Sequence, residues 1–247
     1  MKTIKLLFVC MLVAIFAHAQ ESVPPYTMED VEVTPPKFTA VKYSPTDNTN
    51  ALKTYIANNF KYDADFGEAA EGTQVVKFII NSDGSLSNIE VVNSVSPTVD
   101  DLITNILAET DYMWMPGKNN GVPVAMEKEI AIQIKLGMTE SAAEDRDFTE
   151  IAQDYFTKGA EKLFFDQKTK KAIRCFEAAA RYRPYDQGTL YMLALCEVDR
   201  GNMDAAQAYV ERFRKLGGDK DILEENLAQD VKSVDGYELL SQLFATE

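Results

Sequence analysis

The sequence predicts an α+β chain, and three observations predict it. From Gly72 to Leu136 apolar and polar residues alternate in two runs, give way to a helical period, then alternate again, which is the order β-β-α-β. Asp83-Gly84 separates the first two runs, and Asp-Gly marks a tight hairpin because glycine takes positive φ without steric penalty. From Phe148 onward the period is helical with no strand signal. A small unit with a three-stranded antiparallel sheet is therefore followed by an all-α half.

The chain opens with Lys2 and Lys5, an uncharged apolar run from Leu6 to Ala17, and the small-x-small triplet Ala17-His18-Ala19. That is the form of a secretory signal, residues 1–19, cleaved near Ala19; the run is shorter than the roughly 20 apolar residues a spanning helix needs. The expected mature chain is exported to the periplasm. Its only histidine, His18, leaves with the signal, which excludes imidazole general bases and His-ligated metals. The formal charge of −14 falls further once Lys2 and Lys5 are gone, and a chain this acidic repels nucleic-acid phosphates and anionic lipid. Cys175 and Cys196 remain, either packed as free thiols or joined as export permits.

Residues 20–48 carry Pro24-Pro25, Pro35-Pro36 and Pro45, so they read as an extended arm along the surface. Ala51, Leu52, Tyr55, Ile56 and Phe60 then recur at helical spacing and need a sheet to cover. The Val- and Ile-rich runs Gln74–Ile80 and Leu86–Ser94 supply its hairpin. Ser96-Pro97 opens the next helix, with Ser as cap, Pro in the first turn and Asp100 and Asp101 near the positive dipole end. Val99, Leu102, Ile103, Ile106 and Leu107 form its buried stripe.

Trp114-Met115-Pro116-Gly117 and a turn region, Lys118 to Gly121, lead into a long final strand, Val122 to Leu136. In it Ile130, Ile132, Ile134 and Leu136 share one face while Ala131, Gln133 and Lys135 share the other. A β-β-α-β order allows this strand to lie at a sheet edge, where unpaired backbone groups are offered to another chain. Glu127-Lys128-Glu129 reads either as a guard against aggregation or as a selector of partner.

Residues 138–147 are polar and acidic and divide residues 49–137 from a helical domain at 148–247. There, Ala160, Ala172, Phe176, Ala179 and Pro184, then Leu193, Ala194, Gly201, Ala206 and Phe213, fall at the spacings of a roughly 34-residue helical repeat. This resembles two tetratricopeptide repeats, about 153–186 and 187–220. Gly217-Gly218 breaks the helix, and Leu239, Leu240, Leu243 and Phe244 form a stripe able to cap the stack. The aromatics Tyr155, Phe156, Phe164, Phe165, Tyr182, Tyr185, Tyr191 and Tyr209 read as helix packing.

Residues 36 to 136 resemble the C-terminal domain of the TonB family, in the form common in Bacteroidota. The resemblance is carried by Pro36-Lys37-Phe38, Ala51-Leu52 through Tyr55-Ile56, Gly72, Val75 to Phe78, Asp83-Gly84, Ile89, Val91-Val92, Trp114, Pro116, Gly117, Gly121 and Pro123. It implies a TonB-like domain whose last strand pairs with an extended segment of an outer-membrane transporter by β-augmentation. The partner-facing backbone would be Ile130, Ala131, Ile132, Gln133, Ile134, Lys135 and Leu136.

The expected function is thus a periplasmic protein-interaction module. Its helical repeats would hold a second partner, and it needs no cofactor, metal or small-molecule substrate. The alternative is an envelope-assembly protein whose sheet edge pairs with its own copy as a homodimer. Adjacent carboxylates such as Asp100-Asp101 and Glu224-Glu225 point apart more readily than they share a cleft, so no enzyme is expected.

Overall fold

The structure is a computed structural model that describes residues 32–39, 48–61, 71–135, 147–226 and 229–245. The expected signal segment, Leu136 and most of the acidic linker lie outside the described residues.

The main sheet follows from its alternation. Strands β3 (Gly72–Ile80), β4 (Leu86–Asn93) and β8 (Met126–Ile134) form an antiparallel sheet in the order β4-β3-β8. The hairpin turns at Asp83-Gly84, where Asp83 Oδ1 accepts from the Ser85 amide and hydroxyl and Gly84 has φ of 86°. A Cβ on Gly84 would strike the carbonyl oxygen of Trp114, so turn chemistry and close approach demand the same residue.

Helix α1 (Asn48–Asn59) and helix α2 (Pro97–Ala108) cover one face of this sheet. Ser96 caps α2 by accepting from the Val99 amide, as the Ser-Pro signal predicts. Val76, Phe78 and Ile80 from β3 meet Leu52, Ile56, Val99, Ile103 and Leu107, all buried. Each large side chain so buried contributes roughly 1.5–3 kcal/mol of transfer free energy.

Trp114 joins this core by pairing backbones. The stretches around it form short strands, and the turn expected at Lys118 to Gly121 narrows to Asn120-Gly121, both with positive φ. Strand β5 (Trp114–Met115) pairs with β2 (Lys37–Phe38), and β6 (Gly117–Asn119) pairs with both β1 (Val33–Thr34) and β7 (Val122–Val124). Residues 33–34 and 37–38 of the proline-rich arm thus pair as short strands on either side of Pro35-Pro36. Trp114 packs against Phe38 and Phe78 at 5.1 and 5.5 Å between centroids, and its indole N–H donates to Thr110 Oγ1.

The long final strand is divided at Ala125, which separates β7 from β8. The break lets one run serve two sheets.

The second half is helical: α3 (Phe148–Phe164), α4 (Thr169–Tyr182), α5 (Gln187–Asp199), α6 (Met203–Lys215), α7 (Lys220–Asn226), a 3-10 turn (Gln229–Ser233) and α8 (Tyr237–Ala245). Short connections make α3/α4 and α5/α6 hairpins. Helices α3 and α4 are close at Gly159, where a Cβ would meet the Phe176 ring, one residue before Ala160, the small residue the spacing picks out. Helix α5 is buried from Thr189 to Val198 because its neighbours surround it.

Leu240 caps the stack while Leu239 is exposed, so the expected stripe is narrower by one residue. Phe165 and Tyr185 also depart from a packing role, being 80% and 40% exposed. Cys175 and Cys196 are free thiols, and burial pushes the Cys196 thiol up.

The chain from Val33 to Glu247 forms one compact unit. The helical half packs on the sheet's second face. Thr73 Oγ1 donates to the Tyr182 carbonyl at 2.9 Å, and a Cβ on Gly72 would meet the Arg181 backbone. Central β3 is therefore covered on both faces, which accounts for buried Thr73 and Val75 opposite the α1/α2 core.

Candidate functional site

The sequence places its candidate interface on the last strand, and the described part of that strand, Ile130 to Lys135, lies along one edge of the main sheet. The two edges differ. On the β4 side the ladder carries two register shifts. In one, Val76 opposes Val91 while Val75 opposes Asn93, which leaves Val92 without a partner across the ladder. In the other, Asn88 has φ of 51°, a left-handed conformation that asparagine tolerates better than most residues.

Arg212 of α6 completes the closure of this edge by donating to the Val92 carbonyl at 3.3 Å, with its guanidinium over the Tyr185 ring. Burial lowers the pKa of Arg212. Lys77 and Glu90 oppose one another across the hairpin in a 3.1 Å ion pair.

On the other side, β8 matches β3 without a shift, from Gly72 opposite Ile134 to Ile80 opposite Met126. Among the described residues no strand pairs with the outer edge of β8. A groove of about 470 Å³ runs beside it, walled by Ala131 to Lys135 on one side and by Lys53, Ile56, Ala57 and Phe60 of α1 and its end on the other, with Ile103 of α2 also lining it. Its apolar residues come from the core alternation, and Lys53 and Lys135 are its cations in a chain of net charge −14.

The far face of β8 touches the helical half. Tyr185 donates its hydroxyl to Glu129 Oε1 at 2.7 Å, and burial followed by that hydrogen bond pushes the phenol up. Lys135 lies 5.6 Å from the ring centroid of Phe148, the first residue of α3. Lys128, in the guard triplet, is partly buried, and desolvation lowers its pKa. Beneath the groove's strand, Gln74 opposes Ile132; it is fully buried and neither amide atom has a partner.

The motif residues gather elsewhere. Asp83, Gly84 and Trp114 meet at the hairpin turn. Gly117 leaves room for the Met126 side chain, Pro116 is half-buried beside it, and Pro123 is exposed opposite Lys118. Gly72 starts the central strand against the helical half. These residues build the sheet, whereas the outer edge and groove present it. Lys53, Ile56, Phe60 and Ile103 escaped the sequence reading as groove residues because their spacing is that of core helices; only Lys53, charged on such a face, hinted at an open flank.

Among the described residues no group of three or more His, Cys, Asp or Glu side chains is placed to hold a metal, and no helix is long and apolar enough to cross a membrane.

No family model matches the chain, and no curated protein matches it. Among solved structures, the solution NMR structure of the TonB C-terminal domain of Helicobacter pylori is similar at 23% identity, covering 38% of this chain and 88% of that one, with a TM-score of 0.27. At that score the likeness is weak, and a functional reading has to stand on the edge and the groove.

Proposed function

We propose that this chain is a TonB-like protein-interaction module, with no catalytic role, that takes up an extended peptide by strand addition to the outer edge of β8. The supporting observation is the contrast between edges: a nine-residue strand in unbroken register beside an apolar groove, opposite an edge that bulges and an arginine close. An added strand gains main-chain hydrogen bonds along β8, and its alternate side chains enter the groove over Ile132 and Ile134.

In this reading the partner is an outer-membrane transporter segment resembling a TonB box, or a component of an envelope complex. The chain acts in the periplasm after cleavage near Ala19. The domain at 49–137 is the reader, and the tetratricopeptide-like domain at 148–247 supports it while offering a surface to a second protein.

The test is titration of the isotope-labelled mature protein with peptides from the N-termini of outer-membrane transporters. Amides from Ile130 to Lys135 and around Ile56 and Phe60 should shift together, with Leu86–Asn93 silent. Silence of β8 at millimolar peptide, or a response confined to β4, would overturn the reading. Sequencing the N-terminus of exported protein tests the cleavage site.

A further inference from the structure

On its α1/α2 face, central strand β3 presents Gln74, Val76, Phe78 and Ile80, because successive side chains of a strand alternate between faces. The three apolar members pack in the core. Gln74 lies opposite Ile132 and Val76 opposite Ile130 in an unshifted register, so the Gln74 carboxamide stands on the face where Ile132 and Ile134 line the groove. It is set one strand inward from them.

Five polar side chains are buried among the described residues, and four of them are served by the chain itself. Thr73 donates to the Tyr182 carbonyl, Thr110 to the Leu107 carbonyl and Thr189 to Asp186, while Glu197 accepts from Arg200 and Asn202. Gln74 alone of the five has no partner for its Oε1 and Nε2. A leucine of similar volume would fill the same space and leave nothing unpaired. Packing therefore does not account for a glutamine here.

A strand added outside β8 lies two spacings from β3, about 10 Å, and its residue opposite Ile132 points to the same face as Gln74. Ile132 stands between them and is only partly buried, beside the groove of about 470 Å³. With Ile132 turned aside, two extended carboxamides meet over it. Another primary amide answers both of the unmet atoms at once, since each Nε2–H donates to the other's Oε1. A threonine hydroxyl is too short to reach, and a carboxylate accepts without donating and would leave water as a charge.

We propose, on the reading that the β8 edge accepts a strand, that this edge selects a peptide glutamine opposite Ile132, whose carboxamide pairs reciprocally with that of Gln74. The apolar groove supplies contact area, and the amide pair supplies register. A slip of one residue turns the peptide glutamine to the opposite face, and Gln74 is again unpaired.

The test uses peptides from the N-termini of outer-membrane transporters, with each position replaced in turn by glutamine, leucine, threonine or glutamate, titrated onto the isotope-labelled mature protein. At one position glutamine should bind about tenfold tighter than leucine, as two neutral hydrogen bonds imply, with threonine and glutamate no better than leucine. The side-chain amide resonances of Gln74 and the methyls of Ile132 should shift with that peptide, a readout that needs no variant. In Gln74→Leu the order at that position should reverse, because the peptide glutamine is then the unpaired amide.

Peptides that move Ile130 to Lys135 with no position preferring glutamine over leucine overturn this inference and leave the strand-addition reading standing. A preference that persists in Gln74→Leu, or one that leaves the Gln74 side-chain amide unmoved, overturns the assignment to Gln74. A cross-peak from the Gln74 amide to a bound water that survives in the peptide complex does the same, by showing that water is the partner. If no peptide engages β8, the functional reading falls and this inference with it.

Discussion

The two edges of the main sheet are built from similar Val- and Ile-rich strands, yet one is closed and the other open. Strand β4 carries two bulges, and its unpaired Val92 carbonyl is taken by Arg212 of the helical half. Strand β8 runs nine residues in register and shows only a partly buried lysine and two glutamates as deterrents. A bulge twists an edge away from further pairing, and a distant side chain can occupy what the bulge exposes. The bulges of β4 and the helical half's Arg212 therefore act on the same edge and leave β8 as the open one.

The strongest way to break the contrast is to separate the halves. Gly72→Val places a branched side chain against the Arg181 backbone at a φ of 154°, and should cost about 2–4 kcal/mol in denaturant unfolding. Amides at the Gly72 end of β3 should then exchange faster, with those at the Ile80 end less affected.

Gln74→Leu tests the strand that both edges share. Removing a buried amide without partners while keeping its volume should raise stability by about 1–3 kcal/mol. A parallel loss of peptide response would show that Gln74 serves the groove.

Arg212→Ala should cost about 1–2 kcal/mol and free the Val92 carbonyl. Light scattering should then rise through association at β4, which Ser87→Cys cross-linking would locate. No new association would mean that the bulges alone close this edge.

Tyr185→Phe removes the contact to Glu129 and should cost about 0.5–1.5 kcal/mol, with chemical-shift change confined to Tyr185 and mid-β8. The smallest effect is expected at Lys128. Its folded-state pKa is lowered by desolvation, so the folded chain binds fewer protons than the unfolded one as pH rises from the folded value toward the ordinary lysine range. Stability should rise across that window, and Lys128→Met should abolish the rise while stabilising the protein at neutral pH.

Much of the fold was legible in the sequence where local chemistry and tertiary packing agree. The Asp83-Gly84 turn, the Ser96-Pro97 helix start, the alternation of β3, β4 and β8, and the helices from Phe148 onward each rest on a residue that satisfies its own backbone. The strands around Trp114 went unread because two- and three-residue strands leave no period; they exist through pairing with Val33-Thr34 and Lys37-Phe38, more than seventy positions earlier. The last strand divides at Ala125 for the same reason, since its two parts answer to different partners.

The candidate edge was legible as an alternating run that the β-β-α-β order allows at a sheet edge, but the groove beside it was not. The sequence by itself determined the alternation of Ile130 to Lys135, the tight hairpin, the helical second half and the acidic charge, because these depend on neighbours within a few residues. Only the tertiary structure decided that β8 lies outermost, that α1 leaves a groove beside it, and that Arg212 closes the opposite edge. Those facts join residues far apart in the chain, 120 positions in the case of Val92 and Arg212, and no local period encodes such a meeting.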